Sequence, residues 1–333
     1  MEDKDSIMDD GLKIISGSIY PELAEKIAQE LNVELVSNES KRFANTEQYV
    51  RIGKSVRGDK VFIIQSMAER NGYNVDESVV ETMLLIDAAK RASASEITVV
   101  LPYLAYGRQD RKARGREPIS AAAIIRAFQS AGADRLVSID MHTSQMQAVF
   151  NGPFDHLTAE PELQKALKKI ISQNPNDQYV VVAPDAGGVK TAEDYALALG
   201  IPALHIPKVR RGDEITRDHA IEGVEGKTAI IIDDMVDTAG TLVSAAEVLQ
   251  KAGTGKILVA TTHGILSDPA IERLESSAID KMIVTNSIDN KRAKEILGDR
   301  FEIVSIHGLI ANAIARINDG GSVSEMFDGR NYK

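Results

Sequence analysis

The chain has 333 residues, 43% of them hydrophobic and 26% charged, which is typical of globular proteins and long enough for two domains. Its formal net charge of −10 argues against general nucleic-acid binding, which needs a basic surface, so a phosphate site would have to be a local cationic cluster. The absence of cysteine excludes disulfides, thiolate metal sites and thiol nucleophiles. No long apolar run follows the acidic start Met1 to Asp5, so we expect a cytoplasmic protein with no signal peptide and no membrane partner.

Short runs rich in Val and Ile alternate with longer helix-like stretches, a pattern typical of parallel sheets covered by helices. In the first half we predict strands at 60–65, 97–101 and 136–140 and helices at 77–92 and 120–130. In the second half we predict strands at 179–183, 203–206, 228–233 and 257–261 and helices at 189–199 and 242–251. The two halves therefore predict an α/β protein of two similar domains, each a mainly parallel sheet flanked by helices.

A break in this pattern at Asn151-Gly152-Pro153 marks the predicted domain boundary. We predict an N-terminal domain of residues 1–155 and a C-terminal domain of residues 156–333, whose last residues are free to pack back on the first domain.

The first chemically informative segment is a cationic loop that follows the strand ending at Leu101. It contains Arg108, Arg111, Lys112, Arg114 and Arg116. Arginine can hold phosphate oxygens in a bidentate fork and lysine supplies a point charge, so the loop is a candidate polyphosphate clamp. A solvated charged loop is the alternative interpretation.

A histidine follows the last strand of the first half, in the run Asp140-Met141-His142-Thr143. Side chains two positions apart on a strand point the same way, so Asp140 and His142 can face one site. By residue type alone, a histidine at a strand end is more often a hydrogen-bonded structural residue than a ligand.

The run Ala183-Pro184-Asp185-Ala186-Gly187-Gly188 joins a strand to a helix, and its glycines allow a close backbone approach to an anion. A tight structural turn would look the same. The polar segment 208–214, Lys-Val-Arg-Arg-Gly-Asp-Glu, follows the next strand and is a candidate lid, with an ordinary surface loop as the alternative.

The most informative segment is the buried strand that ends in Asp233 and Asp234 and leads into the turn Asp237-Thr238-Ala239-Gly240-Thr241. The turn offers backbone N–H groups and two hydroxyls at a helix start, where the helix dipole favours a phosphate. The two carboxylates can accept hydrogen bonds from a ribose diol. An aspartate pair that only caps the helix is the alternative, and a sugar-phosphate pocket is the prediction.

This last segment resembles the diphosphate-binding signature of the type I phosphoribosyltransferase fold, which phosphoribosyltransferases and ribose-phosphate pyrophosphokinases (PRPP synthetases) share. The run Arg108-Gln109-Asp110-Arg111-Lys112 closely resembles the ATP-contacting loop of PRPP synthetases, and simple phosphoribosyltransferases lack it. The resemblance extends from about Arg42 to Ser287. It implies transfer of the β,γ-diphosphoryl group of Mg-ATP to the C1 hydroxyl of ribose 5-phosphate, giving PRPP and AMP.

The resemblance also implies a role for each candidate residue. The ATP site would comprise Phe43, Asn45, Glu47, Arg108, Gln109, Asp110, Lys112 and His142. The ribose 5-phosphate site would comprise Asp233, Asp234, Asp237, Thr238, Ala239, Gly240 and Thr241. Asp185, Ala186, Gly187 and Gly188 would receive the diphosphate, His142 and Asp185 would hold Mg²⁺, and Lys208 and Arg210 would act on the transferring group. The family also implies a homohexamer, in which the Phe43 loop reaches a neighbouring subunit.

The sequence departs from the family pattern at a few positions. Asn45 and Thr46 replace the usual Asp and Gly, and Ala148, Val149 and Asn151 replace the usual Gly, aromatic residue and Asp. Two alternatives stay open. A phosphoribosyltransferase that consumes PRPP would use the same aspartate pair and turn, and a non-catalytic regulatory partner of a PRPP synthetase is hinted at only by Asn45, Thr46 and Asn151.

Overall fold

The computed structural model describes residues 11–206, 222–327 and 329, and only the backbone of residues 209–211 and 214–216. The described residues form two compact units. Unit 1 takes in those up to Thr158, Ser287–Asp289 and those from Ile306 onward. Unit 2 takes in those within Ala159–Asn286 and Asn290–Ser305.

Unit 1 is built on a six-stranded parallel sheet with the strand order β2-β1-β5-β6-β7-β8. Its strands are β1 (Leu12–Ser16), β2 (Leu35–Val36), β3 (Asn38–Arg42), β4 (Gln48–Ile52), β5 (Lys60–Ile64), β6 (Glu96–Leu101), β7 (Arg135–Ile139) and β8 (Phe154–Leu157). Its first helices are α1 (Pro21–Glu30), α2 (Val75–Arg91) and α3 (Ser120–Ala131). Strands β3 and β4 form a separate antiparallel ribbon. The central strands are runs of buried Val and Ile because helices cover the sheet.

Unit 2 repeats this design with the order β10-β9-β13-β14-β15-β16, again all parallel. Its strands are β9 (Tyr179–Ala183), β10 (Ala203–His205), β11 (Val209–Arg211), β12 (Glu214–Thr216), β13 (Thr228–Val236), β14 (Lys256–Gly264), β15 (Lys281–Thr285) and β16 (Phe301–Val304). Its helices are α4 (Glu160–Gln173), α5 (Val189–Leu199), α6 (Gly240–Lys251), α7 (Ala270–Glu275) and α8 (Lys291–Leu297). The chain then returns to unit 1 as helix α9 (His307–Asn318).

The two sheets have the same topology. Numbered within its own unit, each reads 2-1-3-4-5-6, and each unit has a two-stranded antiparallel ribbon between its second and third sheet strands. The predicted fold class, two similar α/β domains with parallel sheets, is therefore confirmed.

The predicted elements match in place, and the largest differences lie around the candidate site. Strand β13 continues to Val236, three residues beyond the predicted end, because it keeps pairing with β14 through Val236 and Gly264. Helix α6 begins at Gly240 rather than near Leu242. Asp233 and Asp234 consequently lie within the last part of a strand, and Gly240 and Thr241 lie within the first helical turn.

Within the described part of the chain, no helix combines the length and apolar composition that crossing a bilayer requires.

Arg300 caps the carboxyl-terminal end of α7, and its replacement should destabilise unit 2. Its guanidinium donates to the carbonyl oxygens of Glu275 (2.9 Å), Leu274 (3.0 Å), Ser277 (3.3 Å) and Ile279 (2.6 Å). Hydrogen bonds from a charged donor contribute about 1.5–3 kcal/mol, so we expect Arg300→Ala to lower the free energy of unfolding by about 2–3 kcal/mol. Denaturant unfolding measures this, with Arg292→Ala, at an exposed position of α8, as the control. Equal stability of the two variants would contradict the capping role.

Candidate functional site

The strand order of unit 2 creates a topological switch point between β9 and β13. Open α/β sheets bind ligands in the crevice outside the carboxyl ends of the strands at such a point. Pairing between β9 and β13 runs only as far as Val182 and Ile231. Asp185 lies two residues after the end of β9, and Asp233 lies two residues beyond the last pair. The fold therefore brings two predicted groups, the 185–188 loop and the aspartate pair, to one edge of the sheet.

Asp233 lies at this edge, with a carboxyl that is largely removed from solvent. Desolvation raises its pKa from 3.8 to about 7, and the charge of Asp234 adds to the effect. The charge of Asp185 raises this pKa further, so both neighbouring carboxylates disfavour the ionisation of Asp233. The backbone N–H of Asp234 donates to Asp233 Oδ1 at 2.9 Å, which fixes this carboxyl. Such crowding of negative charge is suited to a ligand that brings hydroxyl donors or a cation.

The turn after β13 leads directly into α6. Ala239 is its N-cap, with φ of 60° and ψ of 0°, and no side chain caps the helix start. The first turn of a helix has backbone N–H groups without partners in the helix, and the helix dipole makes this end favourable for an anion. The carbonyl of Ala239 accepts from the N–H of Val243 at 2.9 Å, so the helix is fully formed from this point. This turn, residues 237–241, is called the phosphate turn below, and it has the backbone arrangement of an anion site.

In the 185–188 loop, the side chain of Asp185 accepts hydrogen bonds from backbone N–H groups of the same loop. Asp185 Oδ1 accepts from the N–H groups of Gly187 (2.9 Å) and Gly188 (3.3 Å), so the carboxylate occupies the place of an anion at the start of a short 3₁₀ helix, Ala186–Gly188. An anion that bound these N–H groups would have to displace the Asp185 carboxylate from them.

In unit 1, the cationic loop lies between β6 and α3 and is held at both ends by residues that the sequence motif does not contain. Tyr106 has a φ of 63°, and its hydroxyl donates to the Asp76 carboxylate at the start of α2. The side chain of Gln109 accepts from the Ser120 hydroxyl at 2.7 Å, at the start of α3. Glu117 accepts from the backbone N–H groups of Ala113 and Arg114, both at 2.8 Å. The loop is therefore anchored through two of its side chains and through its backbone at Ala113 and Arg114, and we infer that Gln109 is partly structural.

The charges of this loop remain available to a ligand. Arg111, Lys112, Arg114 and Arg116 are exposed, and none of them has an ion-pair partner among the residues that the structure describes. A cavity of about 420 Å³ opens beside the loop. It is lined by Asp110, Arg111, Ile119, Ala121, Ala122, His142, Thr143, Gln145, Met146 and Val149. The structure therefore brings His142 together with part of the predicted ATP loop.

Phe43 lies at the tip of the ribbon formed by β3 and β4. Its side chain is 49% exposed and contacts the edge of the Tyr49 ring, with 5.7 Å between ring centroids. Asn45 Oδ1 accepts from the N–H of Glu47 at 3.2 Å. Thr46 has a φ of 71°, a conformation that suits glycine and strains a β-branched residue. The departure from the family's usual Gly therefore falls at the one tip position where Gly is preferred on physical grounds.

Unit 1 has a switch point of its own, between β1 and β5, but protein side chains fill it. Glu81 is 1% exposed and accepts from the N–H (3.1 Å) and the hydroxyl (2.6 Å) of Ser18 and from the Gln65 side chain (2.6 Å). A Cβ added to Gly17 would lie 2.2 Å from the Gln65 side chain, so no free space remains there. The two units thus share a topology, and in unit 1 side chains of the protein occupy the switch point.

Two predicted catalytic residues are not placed by the structure. Lys208 lies outside the described residues, and Arg210 belongs to β11, of which only the backbone is described. Sequence reasoning missed Asp76, Tyr106 and Arg273, because nothing local marks them: each acts on a segment about 30 residues away.

Comparisons with known proteins point to one family over most of the chain. A family model described as the N-terminal domain of ribose phosphate pyrophosphokinase matches residues 12–132, and one described as the phosphoribosyl synthetase-associated domain matches residues 219–328. The ribose-phosphate pyrophosphokinase of Mycobacterium tuberculosis is 41% identical over 326 residues, covering 96% of both chains. That of Clostridium acetobutylicum is 42% identical over 318 residues, covering 95% of this chain and 97% of its own. The crystal structure of phosphoribosylpyrophosphate synthetase from Mycobacterium smegmatis superposes with a TM-score of 0.83 at 39% identity, covering 93% of this chain and all of that one.

Proposed function

Because the chain belongs to the ribose-phosphate pyrophosphokinase family, we propose how its residues carry out the family's reaction. The enzyme is a ribose-phosphate diphosphokinase: it transfers the β,γ-diphosphoryl group of ATP to the C1 hydroxyl of ribose 5-phosphate and releases PRPP and AMP. The observation that carries the residue assignment is the aspartate-bearing end of β13 beside an uncapped helix start.

Ribose 5-phosphate binds along β13 and the turn that follows it. The turn Asp237-Thr238-Ala239-Gly240-Thr241 holds the 5-phosphate through its backbone N–H groups and its hydroxyls, because the start of α6 favours an anion. Asp233 and Asp234 accept hydrogen bonds from the ribose hydroxyls. Supplying hydroxyl donors to a desolvated carboxyl pair relieves part of the crowding that raises the pKa of Asp233.

ATP binds against the cationic loop of unit 1. The exposed side chains of Arg108 and Lys112 attract the triphosphate, and Asp110 and His142 line the adjoining cavity. Phe43 offers an exposed ring on which adenine can stack, with Asn45 and Glu47 beside it. Since this ribbon tip is exposed, the proposal includes its delivery to a neighbouring subunit of a hexamer.

The protein groups assigned to Mg²⁺ are few. Among the described residues, no three His, Asp or Glu side chains lie close enough together to hold a metal ion by themselves. This fits Mg²⁺, which keeps several waters and binds through one or two protein groups and the substrate phosphates. We assign His142, which is exposed on the cavity, and Asp185, whose oxygen is a hard ligand. The ion would supply positive charge to the phosphate oxygens.

The chemical step is an in-line attack of the C1 hydroxyl of ribose 5-phosphate on the β-phosphorus, with AMP as the leaving group. The protein contributes mainly alignment of the two substrates, which can supply about 7–11 kcal/mol, and positive charge where negative charge develops. We assign this charge to Lys208 and Arg210. Gly187 and Gly188 receive the diphosphate once Asp185 has turned away from their N–H groups.

The test is an assay of AMP release by the purified chain alone, with ATP and ribose 5-phosphate as the only substrates. We expect AMP and PRPP in equal amounts, dependent on both substrates. A phosphoribosyltransferase would instead consume PRPP and release diphosphate, and a regulatory partner would show no turnover without a second protein. Because the reaction consumes ATP, a cytoplasmic location is part of the proposal.

A further inference from the structure

In the proposed phosphate turn, Ala239 has a backbone conformation that alanine disfavours and that needs support from other residues. Ala239 has a φ of 60° and a ψ of 0°, in the left-handed region that L-residues disfavour. Asn and Asp adopt this conformation with the help of their side chains, but alanine has no polar group to do so. Another part of unit 2 must therefore hold the backbone here.

Arg273 of α7 makes the contact that holds the backbone at Ala239. Its Nη1 donates to the carbonyl oxygen of Thr238 at 2.8 Å. The guanidinium lies close under the turn, since a Cβ added to Gly240 would be 3.5 Å from Nη1. A hydrogen bond from a charged donor is stronger than one between neutral groups. The acceptor belongs to the peptide group that joins Thr238 to Ala239.

This contact determines where the N–H of Ala239 points. In a planar trans peptide the carbonyl and the N–H point in opposite directions. With the Thr238 carbonyl turned toward Arg273, the Ala239 N–H must face the other way. On its other side, Ala239 is held by its carbonyl, which accepts from Val243 N–H at 2.9 Å. Both peptide groups of Ala239 are thus fixed.

We propose that Arg273 is a positioning residue for ribose 5-phosphate: it holds the Thr238–Ala239 peptide so that the Ala239 N–H faces the 5-phosphate. This inference rests on the proposed function of the turn. Arg273 acts through the backbone, and the phosphate is bound by the turn rather than by the guanidinium.

Substitution of Arg273 should affect one substrate only. In steady-state kinetics of the full-length enzyme, we expect Arg273→Gln to raise the KM for ribose 5-phosphate about tenfold, which corresponds to about 1.4 kcal/mol. The KM for ATP and kcat should change by less than about twofold, because the peptide contributes equally to ground-state and transition-state binding. Calorimetric titration with ribose 5-phosphate should show the same loss. An unchanged affinity for ribose 5-phosphate would overturn the proposal.

A second substitution distinguishes positioning from direct contact. Glycine adopts the left-handed conformation without the penalty of a Cβ, so Ala239→Gly in the Arg273→Gln background should restore most of the lost affinity. If Arg273 instead touched the phosphate, the double variant would bind as weakly as Arg273→Gln, and the proposal would fail.

Arg300→Gln is the matched control, because Arg300 also donates to backbone carbonyls at the end of α7 but not to the phosphate turn. It should lower the melting temperature and leave the KM for ribose 5-phosphate unchanged. An equal rise in KM would mean that any loosening of α7 has this effect, which also contradicts the proposal.

Asp234→Asn tests the proposed site itself. If Asp234→Asn weakens ribose 5-phosphate binding and Arg273→Gln does not, only the present inference fails; if neither does, the site assignment fails.

Discussion

Lys208→Ala is expected to lower kcat by about 10³–10⁵-fold, the range by which an arginine finger accelerates phosphoryl transfer. The reason is that Lys208 is assigned to charge that develops only as the diphosphoryl group is transferred, so its loss affects the transition state and not the bound substrates. Binding of ribose 5-phosphate should therefore stay nearly unchanged. Single-turnover measurements of AMP release, with equilibrium binding of ribose 5-phosphate, separate the two quantities.

Lys256→Ala provides the control for this prediction. Lys256 begins β14 at the amino-terminal edge of the sheet, opposite the candidate site, and forms an exposed ion pair with Asp177 at 3.4 Å. Its replacement should leave kcat within about twofold of the wild type, as for most exposed ion pairs that contribute little. Near-normal turnover of Lys208→Ala would remove Lys208 from the mechanism and would leave Arg210 as the assigned cation.

Asp233→Asn is expected to increase stability while it impairs catalysis. The pKa of Asp233 is about 7 in the folded protein and 3.8 as the ordinary value, with desolvation as the main cause. Well below pH 3.8 the carboxyl is protonated in both states, so its burial carries no ionisation cost. As the pH rises above 3.8 the unfolded chain ionises first, and the folded state loses stability progressively until its own carboxyl ionises near pH 7. At about 1.4 kcal/mol per pKa unit, the loss at alkaline pH is on the order of 4 kcal/mol.

The asparagine variant avoids this loss because it does not ionise. Its melting temperature should exceed that of the wild type by more at about pH 8.5 than at about pH 5. Its kcat/KM for ribose 5-phosphate should fall about 10–100-fold, the effect of losing a charged hydrogen-bond acceptor.

The exposed Asp177→Asn is the control for Asp233→Asn, and it should change stability by less than about 0.5 kcal/mol at either pH. A gain at position 233 that is independent of pH would contradict a desolvated, ionisable carboxyl.

Local patterns in the sequence determine the elements and the site motifs to a large extent. The strands at 60–65, 97–101 and 136–140 are predicted to within one residue at each end, because a buried parallel strand is a short continuous run of Val and Ile. Strand 179–183 and helix 189–199 are predicted with their observed bounds. Polar elements give no such pattern, and the ribbon strand β3, Asn-Glu-Ser-Lys-Arg, was therefore missed.

The candidate site likewise combines features that the sequence predicts with features that depend on the tertiary structure. The turn 237–241 and the aspartate pair lie close together in the sequence, and their chemistry follows from residue type and from the strand-to-helix order. The sequence alone therefore predicted a sugar-phosphate pocket and, through the family motifs, the reaction. Only the tertiary structure decided the pKa of Asp233 and the contacts of Tyr106 and Arg273. Burial and contacts between residues some 30 positions apart depend on how helices pack on a sheet, and packing leaves no local pattern in the sequence.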